Sequence, residues 1–320
     1  MWNLVADVGG TNMRLAAISS AGTIVDQQSF HSKGDMDFLQ VCASFIEGHA
    51  THPEGAVVAA AGVVSNGEVR LTNSGQKFSE TELSEVCGTQ NVKILNDFEA
   101  AAWSLATVSE TDLTRLQGTA SDPQGARLII GPGTGLGVGA LVWAHGQPHV
   151  IPGEGGHISI APQSLEEIAY FEELTALWPE VQIGFGLAIE AEAILSGTGI
   201  PALYQAIARV RGADSARKTA EEIFASAKAS EDEIAVIATR LFKRFLGQLA
   251  GDLALVFNAK GGVFLTGGVA LSNPWIFDQD FLDAFNAGGR HSSWRADMPV
   301  SLYLNKDFGL LGARNYISTR

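Results

Sequence analysis

Three glycine-rich stretches carry residues suited to handling an anion, and the first lies close to the start of the chain. In "LVADVGGTNMRLAA", residues 4–17, two short apolar runs are interrupted by one carboxylate, two adjacent glycines and two small polar residues. The runs read as strands joined by a tight turn at Gly9 and Gly10. Glycines lack a Cβ, so the chain can take positive φ and a bound group can approach the backbone N–H groups, as phosphate-binding loops require. Ala6, Asp7, Val8, Gly9, Gly10 and Thr11 form the mouth of this turn. An acid beside a phosphate is repelled unless a cation lies between them, so Asp7 implies a divalent metal. The alternative is a hairpin in which Asp7 and Thr11 satisfy turn amides.

The second stretch, "GPGTGLGVGALV", has four alternating glycines between apolar runs, and the third, "FLTGGVALSN", ends an apolar strand at Gly267 and Gly268. Two such turns facing each other across a cleft could grip a polyphosphate with amides alone. Gly135, Gly137 and Ala140 also match a loose dinucleotide fingerprint, which would imply an oxidoreductase. That fingerprint must open a helix, whereas "LGVGALVW" continues as a β-like apolar run. The dipeptide Gly-Lys is absent from the sequence, which excludes a Walker A loop.

Composition limits what these turns can serve. The 320 residues suit two domains, or one split by insertion, and a hydrophobic content of 46% predicts packed cores. A net charge of −14 with 21 Lys and Arg argues against a nucleic-acid surface, so an anionic ligand must be held by amides or metal. Cys42 and Cys87 are the only cysteines, which leaves neither a disulfide framework nor a cysteine zinc site. No apolar run approaches the ~18 residues of a membrane span, and the start lacks a signal-peptide pattern, so a cytoplasmic protein is expected.

The elements that must position the turns follow from periodicity. After the first hairpin, 23–30 predicts a strand, 36–47 a helix and 55–64 one buried strand, followed by a turn and a polar stretch. In "VKILNDFEAAAWSLA" an apolar strand stops at Leu95 and an Ala-rich helix begins around Asp97. The polar residues 107–126 mark a candidate boundary, and a second α/β unit begins at 127. Residues 165–256 read as mainly helical. Over 231–256, Ile234, Ile237, Leu241, Phe245, Leu249, Leu253 and Val256 fall on one face.

"ADVGGTNMRLA", "LNDFEAAAWSL", "GPGTGLGVGAL", "PGEGGHISIAP", "AEAILSG" and "FLTGGVALSN" resemble, in order and spacing, the bacterial (proteobacterial-type) glucokinases of the actin–hexokinase ATPase superfamily. The likeness covers nearly the whole chain, and the Pro-Gly-Glu-Gly-Gly-His segment is its most specific motif. It implies a two-domain α/β fold of the actin-like ATPase (ribonuclease H-like) type, with a cleft between a small α/β domain and a larger α+β domain. Residues 1–107 and 304–320 would form the small domain and 108–303 the large one with a helical insertion. The closing "FGLLGAR" resembles the helix that returns to the first domain, and substrate binding would draw the domains together and exclude water.

The implied reaction is transfer of the γ-phosphoryl of MgATP to the 6-hydroxyl of glucose, the entry to glycolysis, by a homodimer. A hydroxyl nucleophile needs an acceptor for its proton. By the family motif Asp97 is that base and Asn96 a sugar ligand, although an Asp at a strand-to-helix junction also suits an ordinary N-cap. The resemblance further makes Glu154, His157 and Glu192 glucose contacts, with Glu190 two residues away as a possible register error and Asn73 a weaker candidate. Asp7 would hold Mg²⁺ through water. Gly9, Gly10 and Thr11 would face the phosphates, Gly133 and Thr134 would supply the opposing turn with Gly135 beside the substrate, and Gly267 and Gly268 would flank the adenosine. Ser159 departs from the family, where Asp often follows the His-x pair. A sugar sensor or non-kinase actin-like ATPase, and a kinase for another hexose, share the same turns.

Overall fold

The computed structural model describes residues 1–9, 12–31, 37–72, 74–119, 121–214 and 218–319. Gly10, Thr11 and Asn73 therefore lie outside the described residues. Contacts divide the chain into two units. One comprises Met1–Glu110, Gly139–Pro152 and Asn305–Arg320, and the other Thr111–Val138 and Gly153–Leu304.

In the first unit the strands are β1 (Trp2–Val8), β2 (Asn12–Ser19), β3 (Ile24–His31), β4 (Ala56–Ala60), β5 (Gly62–Ser65), β6 (Glu68–Leu71), β7 (Lys77–Ser79) and β8 (Val92–Asn96). Helices α1 (Phe38–Glu47), α2 (Glu80–Cys87) and α3 (Asp97–Ser104) lie among them, and the helix Phe308–Ser318 closes the chain. A five-stranded sheet runs β3-β2-β1-β4-β8, with β1, β4 and β8 parallel. Because side chains alternate across a strand, β1 sends Leu4, Ala6 and Val8 into a core with Phe38, Phe45 and Leu83. Val5 instead enters a second core with Leu95, Trp103, Leu310 and Tyr316. Asp7 shares the parity of Val5, so it faces the side on which the C-terminal helix packs.

That helix approaches α3 closely. A Cβ at Gly312 would overlap the Ala100 carbonyl. The side-chain amide of Asn315 donates to Trp103 O at 3.0 Å, satisfying a carbonyl at the end of α3.

Residues 55–64 form two strands where one was expected. A Cβ at Gly62 would overlap Arg70 O, so this glycine lets β5 leave the main sheet and pair with β6 in a separate three-stranded sheet, β5-β6-β7. The polar stretch after it, residues 69–79, holds most of β6 and all of β7, and α2 follows it. The start of α2 is a capping box in which Ser79 Oγ accepts from Glu82 N at 3.2 Å and Glu82 Oε2 accepts from Ser79 N at 2.9 Å.

The second unit contains β9 (Leu113–Gln117), within the stretch read as a boundary, and β10 (Arg127–Pro132). Strand β11 (Leu136–Ala144) begins there and continues into the first unit, where it pairs antiparallel with β12 (Gln147–Ile151). Next come β13 (Ser159–Ile160), α4 (Leu165–Leu177), β14 (Ile189–Glu190), α5 (Ile200–Val210), α6 (Ala220–Ala229), α7 (Glu233–Phe257), β15 (Gly262–Leu265), α8 (Gly268–Ser272), α9 (Gln279–Asn286) and β16 (Val300–Tyr303). Strands β10, β15 and β16 are parallel and β9 is antiparallel beside β16.

Helix α7 starts where Asp232 Oδ1 accepts from Ile234 N and Ala235 N at 2.9 and 3.1 Å. Its predicted apolar face is buried from Ile234 to Leu253, but Val256 is exposed, because the helix ends at Phe257 beyond the packed stretch. Glycines at 247 and 251, one turn apart, admit the carbonyls of Phe281 and Phe285 on α9.

Candidate active site

In the first unit the site is built on the carboxyl edge of the parallel strands. Val8 is in register with Ala60, and Ala60 with Asn96. At strand spacings of about 4.8 Å, Asn96 stands roughly 10 Å from Val8 along one row. The turn after β1 and the junction between β8 and α3 therefore share an edge, the place where open α/β sheets bind ligands.

Asp7 is held there by its neighbours. Its carboxylate lies 3.4 Å from Arg14 Nη1, which also lies 3.5 Å from Asp307 Oδ1. Burial pushes the Asp7 carboxyl up to about 6; Arg14 opposes the rise and Asp307 adds to it. A Cβ on Gly309 would lie 2.7 Å from Asp7 Cγ, so this glycine makes the room that the carboxylate occupies. Gly9 N donates to Asn12 O at 3.0 Å, which closes the turn.

At the other end of the row Asn96, not Asp97, caps the helix. Asn96 Oδ1 accepts from Phe98 N at 2.9 Å and from Glu99 N at 3.4 Å, while its Nδ2 donates to Gly62 O at 3.0 Å. Asp97 is thus the first helical residue, at the positive end of α3.

The second unit gathers the remaining groups around the start of β11. Gly133 N donates to Gly135 O at 2.8 Å, and Gly197 N to Gly133 O at 2.7 Å, so a second loop supports the glycine turn. Thr198 Oγ1 donates to Thr134 O at 2.9 Å. A Cβ at Gly133 would lie 3.9 Å from Gly268 N, and one at Gly267 would lie 2.6 Å from Pro132 O. Gly267 has φ of +91°, open to glycine but costly for other residues, and it precedes the first turn of α8. The two glycine segments therefore adjoin, at ordinary van der Waals distance from Gly133 and, at Gly267, so closely that a side chain would meet Pro132 O.

Glu192, within the stretch that reads as mainly helical, lies in the single 3₁₀ turn Ala191–Ala193, because β14 immediately precedes it and Ala191 N is tied to Ile158 O at 2.9 Å. Its Oε2 accepts from Leu136 N at 2.6 Å, beneath Gly135. Glycines also explain "PGEGGH". A Cβ at Gly155 would lie 2.8 Å from Val138, and one at Gly156 would overlap Leu136 O, so the segment lies flat against β11. His157 Nδ1 lies 3.0 Å from Glu190 Oε2. That bond holds the imidazole pKa above its ordinary value, and Glu192, Glu190 and Glu154 add to the effect through their charges. The second unit thus brings Gly135, Glu154, His157, Glu190 and Glu192 together.

The glucokinase family profile matches residues 4–320. The chain is 34% identical over 321 residues to the glucokinase of Chelativorans sp. strain BNC1, covering 99% of this chain and 91% of that one. It is 33% identical over 318 residues to the Rhizobium etli glucokinase, covering 98% and 90%. The chain belongs to the glucokinase family. It is accordingly an enzyme of the sugar-kinase class with a mixed α/β fold. Among solved structures, glucokinase from an Antarctic psychrotroph superposes with a TM-score of 0.86 at 29% identity, covering 100% of this chain and 99% of that one. The glucokinase of Balamuthia mandrillaris, solved in complex with glucose, shares the fold with a TM-score of 0.81 at 22% identity, covering 100% and 94%. The dinucleotide reading fails because Leu136–Ala144 is a strand and opens no helix.

Three site neighbours carry no role in the sequence motifs: Arg14, Gly309 and the loop around Thr198. Arg14 stands in the first glycine motif and was legible there as a cation. The other two touch their targets only through tertiary contact. Among the described residues no group of three His, Cys, Asp or Glu could hold a metal.

Proposed function

We propose that this protein transfers the γ-phosphoryl group of MgATP to the 6-hydroxyl of glucose, with Asp97 as the base. The observation that carries this reading is the shared sheet edge, where Val8 and Asn96, the chain neighbours of Asp7 and Asp97, lie on one row within the first unit. As the phosphorus–oxygen bond to the sugar forms and the bond to the ADP oxygen breaks, the hydroxyl proton passes to Asp97. In the second unit Glu154, His157 and Glu192 are the hydroxyl partners, and Asn96 adds its remaining amide capacity in the first. A neutral sugar offers a donor and acceptors on each hydroxyl, so carboxylates and imidazole can serve it in pairs.

The residues fit a magnesium ion that arrives with the nucleotide. Asp7 is one carboxylate, weakly compensated at 3.4 Å by Arg14, with room beside it at Gly309. Magnesium favours such a setting, with one or two carboxylates, phosphate oxygens and retained waters, over a cage made wholly of protein. When bound, the ion would neutralise charge on the transferring phosphoryl group. The turns Gly9–Thr11 and Gly133–Thr134 would orient the phosphates, and Gly267 and Gly268 leave space for a flat base or ribose.

The test is ADP release across a panel of hexoses, with phosphorus NMR of the product. Glucose is expected to trigger ADP release and to yield its 6-phosphate. ATP turnover indifferent to sugar, or glucose binding with no phosphorylated product, would support the sensor or ATPase reading instead.

A further inference from the structure

We infer that Glu190 is a positioning residue for sugar selection, holding the His157 ring by its Nδ1 so that Nε2 is the atom presented to a hydroxyl. The inference rests on the reading of His157 as a glucose contact. It starts from β13 and β14, a two-stranded antiparallel sheet in which Ser159 pairs with Glu190 and Ile160 with Ile189. Ala191 N donating to Ile158 O at 2.9 Å extends this pairing toward His157. Glu190 is therefore anchored by backbone, and its carboxylate reaches the ring of the residue two positions before its strand partner.

An imidazole has two chemically distinct nitrogens, and a carboxylate accepting from Nδ1–H fixes which one carries the remaining function. The neutral ring then offers Nε2 as an acceptor, and the imidazolium offers Nε2–H as a donor. Glu190 holds Nδ1–H in both states. His157 is half exposed, and a ring with that freedom would otherwise sample several rotamers and both tautomers. Glu154 and Glu192 also act on the ring by charge, but Glu192 is bonded to Leu136 N, leaving Glu190 as the carboxylate at hydrogen-bond distance from Nδ1. A further carboxylate at position 159, directly across the ladder, would place like charges opposite one another, which destabilises a strand pair. The serine there matches the presence of Glu190.

The experiment uses the full chain and four variants: Glu190→Ala, Glu190→Gln, His157→Ala and the double alanine. Glucose KM is expected to rise on the order of tenfold in Glu190→Ala, as for loss of a charge-assisted hydrogen bond. ATP KM and kcat at saturating glucose stay within about twofold, which separates sugar positioning from loss of the chemical step. The double variant should be no worse than His157→Ala alone. In Glu190→Gln, which keeps shape and an acceptor oxygen, the His157 ring followed by NMR should titrate closer to the ordinary histidine pKa. An unchanged glucose KM and ring titration in both Glu190 variants, with KM raised in His157→Ala, would overturn the positioning role alone. An unchanged glucose KM in His157→Ala would overturn the sugar-contact reading beneath it.

Discussion

At the scale of the residue, the site depends on which of two adjacent groups does which task. Asn96 and Asp97 are both favoured at helix starts, and the structure gives the cap to Asn96. Asp97→Asn should therefore keep helix α3 and lower kcat by about 10²–10⁴, the usual contribution of a general base. A steady-state rate measurement beside a circular dichroism spectrum checks both halves, and near-normal turnover would remove Asp97 as the base. Gly309 offers a subtler probe. Its missing side chain makes the space for the Asp7 carboxylate, so Gly309→Ala should weaken MgATP binding more than glucose binding, as isothermal titration of each ligand would read. Equal losses would mean that the glycine serves the fold and not the nucleotide. Asp97 was legible in the sequence because a family motif passes through it. The contacts of Glu190 and Gly309 were not, since each is made with a partner many residues distant, at 33 positions for Glu190 and His157.

At the scale of the element, glycines decide how closely neighbours approach. The C-terminal helix meets α3 at Gly312 and Ala100, with the T-shaped pair Trp103 and Tyr316 beside them at 5.3 Å. Gly312→Val should cost about 1–3 kcal/mol through overpacking, seen as a lower urea midpoint. An unchanged midpoint would show that the helix pair yields without strain. Removal of the capping hydroxyl in Ser79→Ala should cost about 1 kcal/mol by the same measurement. The Ser-x-x-Glu pattern from Ser79 to Glu82 announces that helix, yet periodicity assigns none there, because α2 spans only eight residues and three of them are exposed. Strands β6 and β9 escape the reading for a related reason. Alternating or mixed exposure over five residues or fewer leaves too little apolar signal to separate a strand from a loop.

At the scale of the whole molecule, a chain of net charge −14 must compensate charge locally if it binds a triphosphate as proposed. Nucleotide affinity should fall sharply on chelation with EDTA and return with excess magnesium, as calorimetry would show. Affinity independent of magnesium would point to Arg14 and other fixed cations as the compensating charges. Pattern alone determined the main strands and helices of each unit, the long helix α7, the glycine-rich stretches and the residues that tie the chain to its family. Those features are local, because periodicity, caps and the missing Cβ of glycine act over a few neighbouring positions. Tertiary structure decided that Val8, Ala60 and Asn96 form one row, that Gly62 splits a strand in two, that Glu192 lies beneath Gly135, and that Glu190 holds His157. Each of these is a contact between segments distant in sequence, fixed by sheet register and close packing, and the identity of neither partner specifies it.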